Sequence, residues 1–247
     1  MIPFFRKIRK KMADDNKPLK YMRYAIGEIV LVVIGILFAL QINNWNQNRI
    51  NNQKLKSYLT DIVKDLKMDT DYASWQLEIV KNRNKNRKSF LALKDYNKLS
   101  VDSLEKSLET FYGSMEFNKA AFNKIENSGI TDFGQYDSLI GHFRMYYNYF
   151  IPNIEKRLAA TGRAVELEDN FWRYDQNTYE FTYDKDLAFA QSTDESKEQL
   201  IQLLQSPTPR NILKIDYRRN KNLIVMYSMV IETNEEAIKA AEKAINE

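Results

Sequence analysis

The sequence predicts an all-α protein, with an N-terminal single transmembrane helix followed by an antiparallel helical bundle that carries one minor irregular or extended segment. Three observations predict it. Only 7 Gly and 5 Pro occur in 247 residues, too few for the tight turns of a β-sandwich, while Lys, Glu, Leu, Ala, Asn and Gln are plentiful and favour long helices. One stretch from Tyr24 to Trp45 reads YAIGEIVLVVIGILFALQINNW, with an unbroken apolar run from Ile29 to Leu40. From Leu213 to Ile245, residues suited to a packing seam recur at steps of three and four, the spacing of a helix face that meets another helix.

The apolar stretch comes first in chain order. At 1.5 Å per residue, about 20 residues of helix span the roughly 30 Å hydrocarbon layer. Residues 1–24 hold Arg6, Lys7, Arg9, Lys10, Lys11, Lys17, Lys20 and Arg23 against Asp14 and Asp15, so this segment carries +6; the whole chain carries +4, which leaves the rest at −2. Cationic residues before the span and the uncharged exit Gln41, Asn43, Asn44, Trp45 after it place Met1 in the cytoplasm by the positive-inside rule. The expected organisation is a basic cytoplasmic juxtamembrane segment 1–23, a transmembrane helix 24–45 and a helical domain 46–247 on the other side of the membrane. A cleaved signal peptide begins in the same way, but Leu37 and Ala39 do not form a small-x-small cleavage site, and the stretch runs directly into Asn and Trp as an interfacial anchor does.

Before the span, Phe4, Phe5, Ile8 and Met12 lie among basic residues at helical spacing, an arrangement that rests on anionic headgroups. Within the span, Ala25, Glu28, Val32, Gly35, Ala39 and Ile42 share one face. Three of the six are small, so the face is expected to be a transmembrane packing seam for a protein partner or a second copy. Glu28 lies about one turn from the cytoplasmic boundary, where it reaches headgroups or pairs with Arg23 or Lys20.

Beyond the anchor, Leu55, Leu59, Ile62 and Leu66 mark an amphipathic helix that Tyr72, Trp75, Ile79 and Val80 extend to about Asp95, with the KNRNKNRK run at 81–88 as a solvated stretch. Ser100 starts a short helix closed by Phe111, Tyr112 and Gly113, and a second runs from Phe117 to a stop at Ser128-Gly129. Tyr136 to Leu167 reads as a long helix kinked at Pro152. Asp194 opens a short helix to Leu204, and Pro207-Thr208-Pro209 begins the last one. In that helix Leu213, Tyr217, Asn220, Ile224, Tyr227, Ile231, Asn234, Ile238, Ala241 and Ile245 form the expected seam against the first long helix, with the two Asn fixing register.

Residues 168–191 interleave Phe171, Trp172, Tyr174, Tyr179, Phe181 and Tyr183 with acids. Trp172, Tyr174, Tyr179 and Tyr183 are candidates for a ligand or partner surface; aromatics pinning a loop across a bundle would have the same composition.

Several chemistries are excluded by counting. There is no Cys and one His, His142, so thiolate nucleophiles, disulfides and multi-His metal sites are impossible. No P-loop, GxGxxG or Ca-loop pattern occurs. No catalytic, cofactor-binding or metal residue is expected, no cofactor is implied, and a mildly acidic main domain gives no reason to bind nucleic acid.

The anchor residues FFRKIRKK and YAIGEIVLVVIGILFALQINNWN, with AAFNKIENSGI and RMYYNYF further on, resemble a Bacteroidota family labelled domain of unknown function 6090. The resemblance covers the first 50 residues and, more loosely, the middle of the chain. It implies a cytoplasmic-membrane protein facing the periplasm of a diderm bacterium, and it implies no activity. The expected role is a non-enzymatic, membrane-anchored scaffold or accessory subunit. A subunit of an ion-coupled or transport assembly using Glu28, and a periplasmic ligand-binding sensor, are the alternatives.

Overall fold

The structure, a computed structural model, describes residues 18–110, 112–181, 187 and 189–246. The basic amphipathic stretch around Phe4 to Met12, and Phe111 and Tyr183, lie outside the described residues. Seven α-helices occur among the described residues: α1 (Pro18–Leu91), α2 (Val101–Lys106), α3 (Ala120–Glu126), α4 (Asp137–Met145), α5 (Ile151–Asn170), α6 (Thr193–Gln205) and α7 (Pro207–Asn246). A 3₁₀ turn, Gly134–Tyr136, precedes α4, and π-helical turns Tyr146–Phe150 and Phe171–Asp175 precede and follow α5. No strand occurs among the described residues; Gln176 to Phe181 is irregular, so the alternation of Tyr179 and Phe181 does not build a ladder.

The chain divides into two compact units, residues 1–55 and 56–247. In the first, the described part belongs to α1, whose apolar stretch is long and apolar enough to cross a membrane. Its side chains, Ile29, Leu31, Phe38 and Trp45 among them, are exposed. A signal sequence meets the same test of length and composition.

The second unit is built on two strict seven-residue repeats. On α1, Leu59, Leu66, Ala73, Val80 and Arg87 are all buried, and beside them run Ile62, Asp69 and Gln76. On α7, Leu213, Asn220, Tyr227, Asn234 and Ala241 are buried, with Pro209, Asp216, Leu223 and Val230 as the second line. This corrects the sequence reading at two places. Tyr72 and Trp75 are exposed, so on α1 the core face keeps the heptad through Asp69, Ala73 and Gln76 and does not follow the aromatics. On α7 the every-seventh positions from Leu213 are core, but Tyr217, Ile224, Ile231 and Ile238 are half-buried flank, because the second inner line falls three residues after the first, at Asp216, Leu223 and Val230, and not four.

Contacts between the two helices are Lys56 Nζ to the Ile245 carbonyl, Lys67 to Glu242, Asn234 Nδ2 to the Leu66 carbonyl, and Arg87 to Asp216. Arg210 donates to the carbonyl of Leu91, the last residue of α1, and to the Tyr96 hydroxyl, satisfying a helix end that has no intrahelical partner.

Local signals explain the short elements. Ser100 caps α2 by accepting from the Ser103 amide, and Ser192 with Glu195 forms a full capping box on α6. Helix α3 has no side-chain cap of its own. Its Ala121 amide donates instead to Asp65 of α1 at 3.2 Å, a cap supplied by another helix. Gly129 has φ 71°, the left-handed geometry that ends this segment as expected. Where a kink at Pro152 is expected, Pro152 sits in the first turn of α5 and the π turn Tyr146–Phe150 interrupts the regular helix. The helical backbone continues through Phe150 and Ile151 into α5; Pro152 lacks an amide to donate, and the π turn just before it is where the hydrogen-bond ladder departs from the α pattern.

Candidate functional site

Three arrangements in the second unit bear on function: a buried charge cluster, a buried polar layer beside α3, and an open groove between α5 and α7.

The charge cluster joins α1, α5 and α7. Arg87 Nε–H donates to Asp216 Oδ2 at 2.8 Å, and its Nη2 donates to the Glu109 carbonyl at 2.8 Å and its Nη1 to the Ser107 carbonyl. Arg219 clasps Glu168 through both terminal nitrogens, at 2.8 and 2.6 Å, and reaches Asp216 Oδ1 at 3.1 Å. Asn220 Nδ2 donates to Asp216 Oδ2 at 3.2 Å. All five side chains are buried. Two cations and two carboxylates compensate one another, and the bidentate Arg–Glu fork is the strongest form of such a pair. Burial pulls the Arg219 pKa down, but the Glu168 and Asp216 carboxylates outweigh it and hold the guanidinium above its ordinary value.

Beside this cluster lies a cavity of about 350 Å³ lined by Arg83, Asn86, Arg87, Phe90, Ser103, Lys106, Ser107, Glu109 and Asp216. Arg83 donates to the Glu109 carbonyl at 3.1 Å, and all three nitrogens of Arg87 are engaged. No group of three or more His, Cys, Asp or Glu placed to hold a metal occurs among the described residues.

The polar layer centres on Asp69. It accepts from the Asn118 amide at 3.3 and 3.2 Å and from Asn118 Nδ2 at 2.7 Å. Burial pushes its carboxyl up to about 6, against the hydrogen bonds from Asn118 that lower it. Tyr146 donates its hydroxyl to Asn234 Oδ1, and its phenol is raised above the ordinary range, by burial first. Tyr147 stacks on Phe122 at 4.6 Å between ring centroids.

The groove has a volume of about 850 Å³. Phe150, Asn153, Ile154, Arg157, Ala160, Thr161 and Ala164 form the α5 wall, and Ile215, Arg218, Arg219, Asn222, Leu223, Val225, Met226 and Met229 form the α7 wall. Ile215, Val225 and Met229 are 56%, 59% and 48% exposed, a cluster of large apolar side chains that scattered surface residues do not make.

The residues singled out from sequence fall in different places. Ala25, Glu28, Val32, Gly35, Ala39 and Ile42 all lie on α1 in the first unit, and a Cβ added at Gly35 would meet nothing within 4 Å. Trp172 and Tyr179 are buried in a hydrophobic cluster with Phe90, Leu104, Leu200 and Leu204, where the Tyr179 hydroxyl donates to Glu105 at 2.7 Å. Tyr174 is 75% exposed. Trp172 and Tyr179 thus pin the irregular passage onto α2 and α6. The single histidine, His142, is exposed on α4.

Sequence reasoning missed Arg87, Glu168, Asp216 and Arg219. A signal for Arg87 was present: it stands seven residues after Val80 in the register of Leu59, Leu66 and Ala73, and a helix keeps that face inward whatever residue occupies it. Nothing in the spacing of Glu168 marks it as the partner of Arg219.

Residues 28–151, half of the chain, match the model of a family of unknown function, DUF6090. The chain belongs to this family. No curated protein and no solved structure matches it. The family match runs from within α1 to the first residue of α5, so it takes in Asp69 and Arg87 and stops short of Asp216, Arg219 and most of the groove.

Proposed function

We propose that this DUF6090 chain is a single-pass protein of a bacterial cytoplasmic membrane that works by protein contact and not by catalysis. Residues 24–45 stay in the bilayer, Met1 faces the cytoplasm, and the helical unit from 56 onward is periplasmic. Exposed Ile29, Leu31, Phe38 and Trp45 support a lipid-facing helix, and the basic residues that precede it supply the orientation. An antiparallel packing of α1 and α7 is supported by the order of their contacts, in which residue numbers fall along α7 as they rise along α1.

The observation that carries the contact reading is the α5–α7 groove. It is a large apolar surface left open among the described residues of the helical unit, whereas the buried Arg87, Glu168, Asp216 and Arg219 are held by one another. Within the bilayer, the face of Ala25, Glu28, Val32, Gly35, Ala39 and Ile42 is a second contact surface for a partner helix.

Topology is tested by adding protease to intact spheroplasts, which should digest the bulk of the chain and leave a protected stub of a few kilodaltons. A resistant bulk, or a mature product that begins beyond Ala39, would overturn the topology. The contact reading is tested by filling the groove: an Ala164→Trp chain should still fold and insert but lose whatever co-purifies with the wild-type chain after gentle extraction. An unchanged set of companions would count against the groove.

A further inference from the structure

We infer that the groove between α5 and α7 receives an amphipathic helix of another protein whose apolar stripe is flanked by Asp or Glu. This inference rests on the contact reading above and names the chemistry of the partner.

The spacing of the walls argues for a helix as occupant. On α5 the lining positions Phe150, Asn153, Arg157, Ala160 and Ala164 advance by alternating steps of three and four. On α7, Ile215, Arg218, Asn222, Val225 and Met229 do the same. Each wall therefore presents one row of knobs over fourteen residue steps, about 21 Å or four turns. A third helix lying along both rows would meet holes at its own period. Two features adapt the groove to it. Ala160, Thr161 and Ala164 make the α5 wall low, letting a backbone approach, and Met226 and Met229 are the pliable side chains that fit themselves to a stripe.

The charge argues for acids on that helix. Arg157 stands on one wall and Arg218 on the other, both exposed, and neither guanidinium has a hydrogen bond or ion pair among the described residues. Lys214 and Lys221, both exposed, flank Arg218 on α7, so the surroundings of the α7 wall are cationic as well. A lipid anion concentrates its charge at one end, whereas cations separated on opposite walls match carboxylates distributed along both flanks of a stripe. A second copy of the same groove would set Arg157 and Arg218 against their own kind, a like-charge arrangement that selects against self-pairing.

The experiment places the photo-cross-linker p-benzoylphenylalanine at position 225, and separately at 215, in the full chain in its native membrane. The cross-linked peptide is then sequenced by mass spectrometry. The expected adduct falls on a segment of another protein with apolar residues at three- and four-residue steps flanked by Asp or Glu. Its yield should drop at least tenfold in an R157E/R218E chain and return when the partner's flanking acids are changed to Lys. Should the double reversal fail to insert or fold, R157Q/R218Q is used, with a loss of yield again expected. An adduct on a helix without acidic flanks, an adduct on a second copy of this chain, or a yield indifferent to both double variants would overturn the acidic-helix inference while leaving the contact reading in place. An adduct with the mass of a lipid, or none at either position, would overturn both.

Discussion

Arg87 and Asp216 stand 129 positions apart in the sequence, yet the Arg87 Nε–H reaches Asp216 Oδ2 at 2.8 Å with the two side chains 7% and 2% exposed. The pair sits in heptad positions of α1 and α7 that apolar residues occupy elsewhere on the same faces. Such a pair sets register more than it adds stability, because each charge is costly to bury and only the other relieves it.

Asp216→Ala should therefore cost about 3–5 kcal/mol, since it strands Arg87 and removes one partner of Arg219. Replacing both members, Arg87→Met with Asp216→Leu, should recover most of that loss. Thermal unfolding of the full chain followed by its helical circular dichroism reads both. A double variant no better than Asp216→Ala would contradict the argument.

Asp69 sets a pH dependence. Its carboxyl is raised from an ordinary 3.8 to about 6 by burial, so the folded protein binds the proton more readily than the unfolded chain. The penalty for the ionised group is full above about pH 6 and disappears as the pH falls towards 4. Over that window Asp69 should add stability on acidification, on the order of 2–3 kcal/mol. Urea unfolding at pH 7.5 and pH 5 should show a smaller pH difference in Asp69→Asn than in the wild type. Identical slopes in the two proteins would refute it.

Gly113 is demanded by Tyr227. A Cβ there would lie 2.0 Å from the Tyr227 hydroxyl oxygen and 3.0 Å from Cζ, and Tyr227 is wholly buried and cannot swing aside. Gly113→Ala should cost about 1–3 kcal/mol, and Tyr227→Phe should relieve part of it. Alone, Tyr227→Phe should be close to neutral, because its buried hydroxyl has no hydrogen-bond partner among the described residues. A double-mutant cycle on melting temperature checks the coupling.

Trp172→Ala should destabilise the helical unit by about 3–5 kcal/mol, because Trp172 packs in the core with Phe90, Leu104 and Leu200. Tyr174→Ala, at an exposed position, should change stability by less than about 0.5 kcal/mol. Comparable melting temperatures for the two variants would show that Trp172 is not in the core.

The helical class, the apolar stretch of α1, the cap at Ser100, the stop at Gly129 and the every-seventh line from Leu213 to Ala241 were legible in the sequence, whereas the start of α6 reads from sequence as Asp194 and its cap lies two residues earlier, at Ser192. These are local properties: backbone conformation, capping and face periodicity depend on residues a turn or two apart. The tertiary structure alone shows which acid holds Arg87, whose inward heptad position was legible, that Asp216 displaces Tyr217 from the inner face, and that Asp65 caps a helix it does not belong to. The same holds for the open walls of the groove. Each of those outcomes turns on whether a polar group finds a partner from a distant segment. Burial of a charge is forbidden or permitted by that partner alone, and no local pattern records where the partner will be.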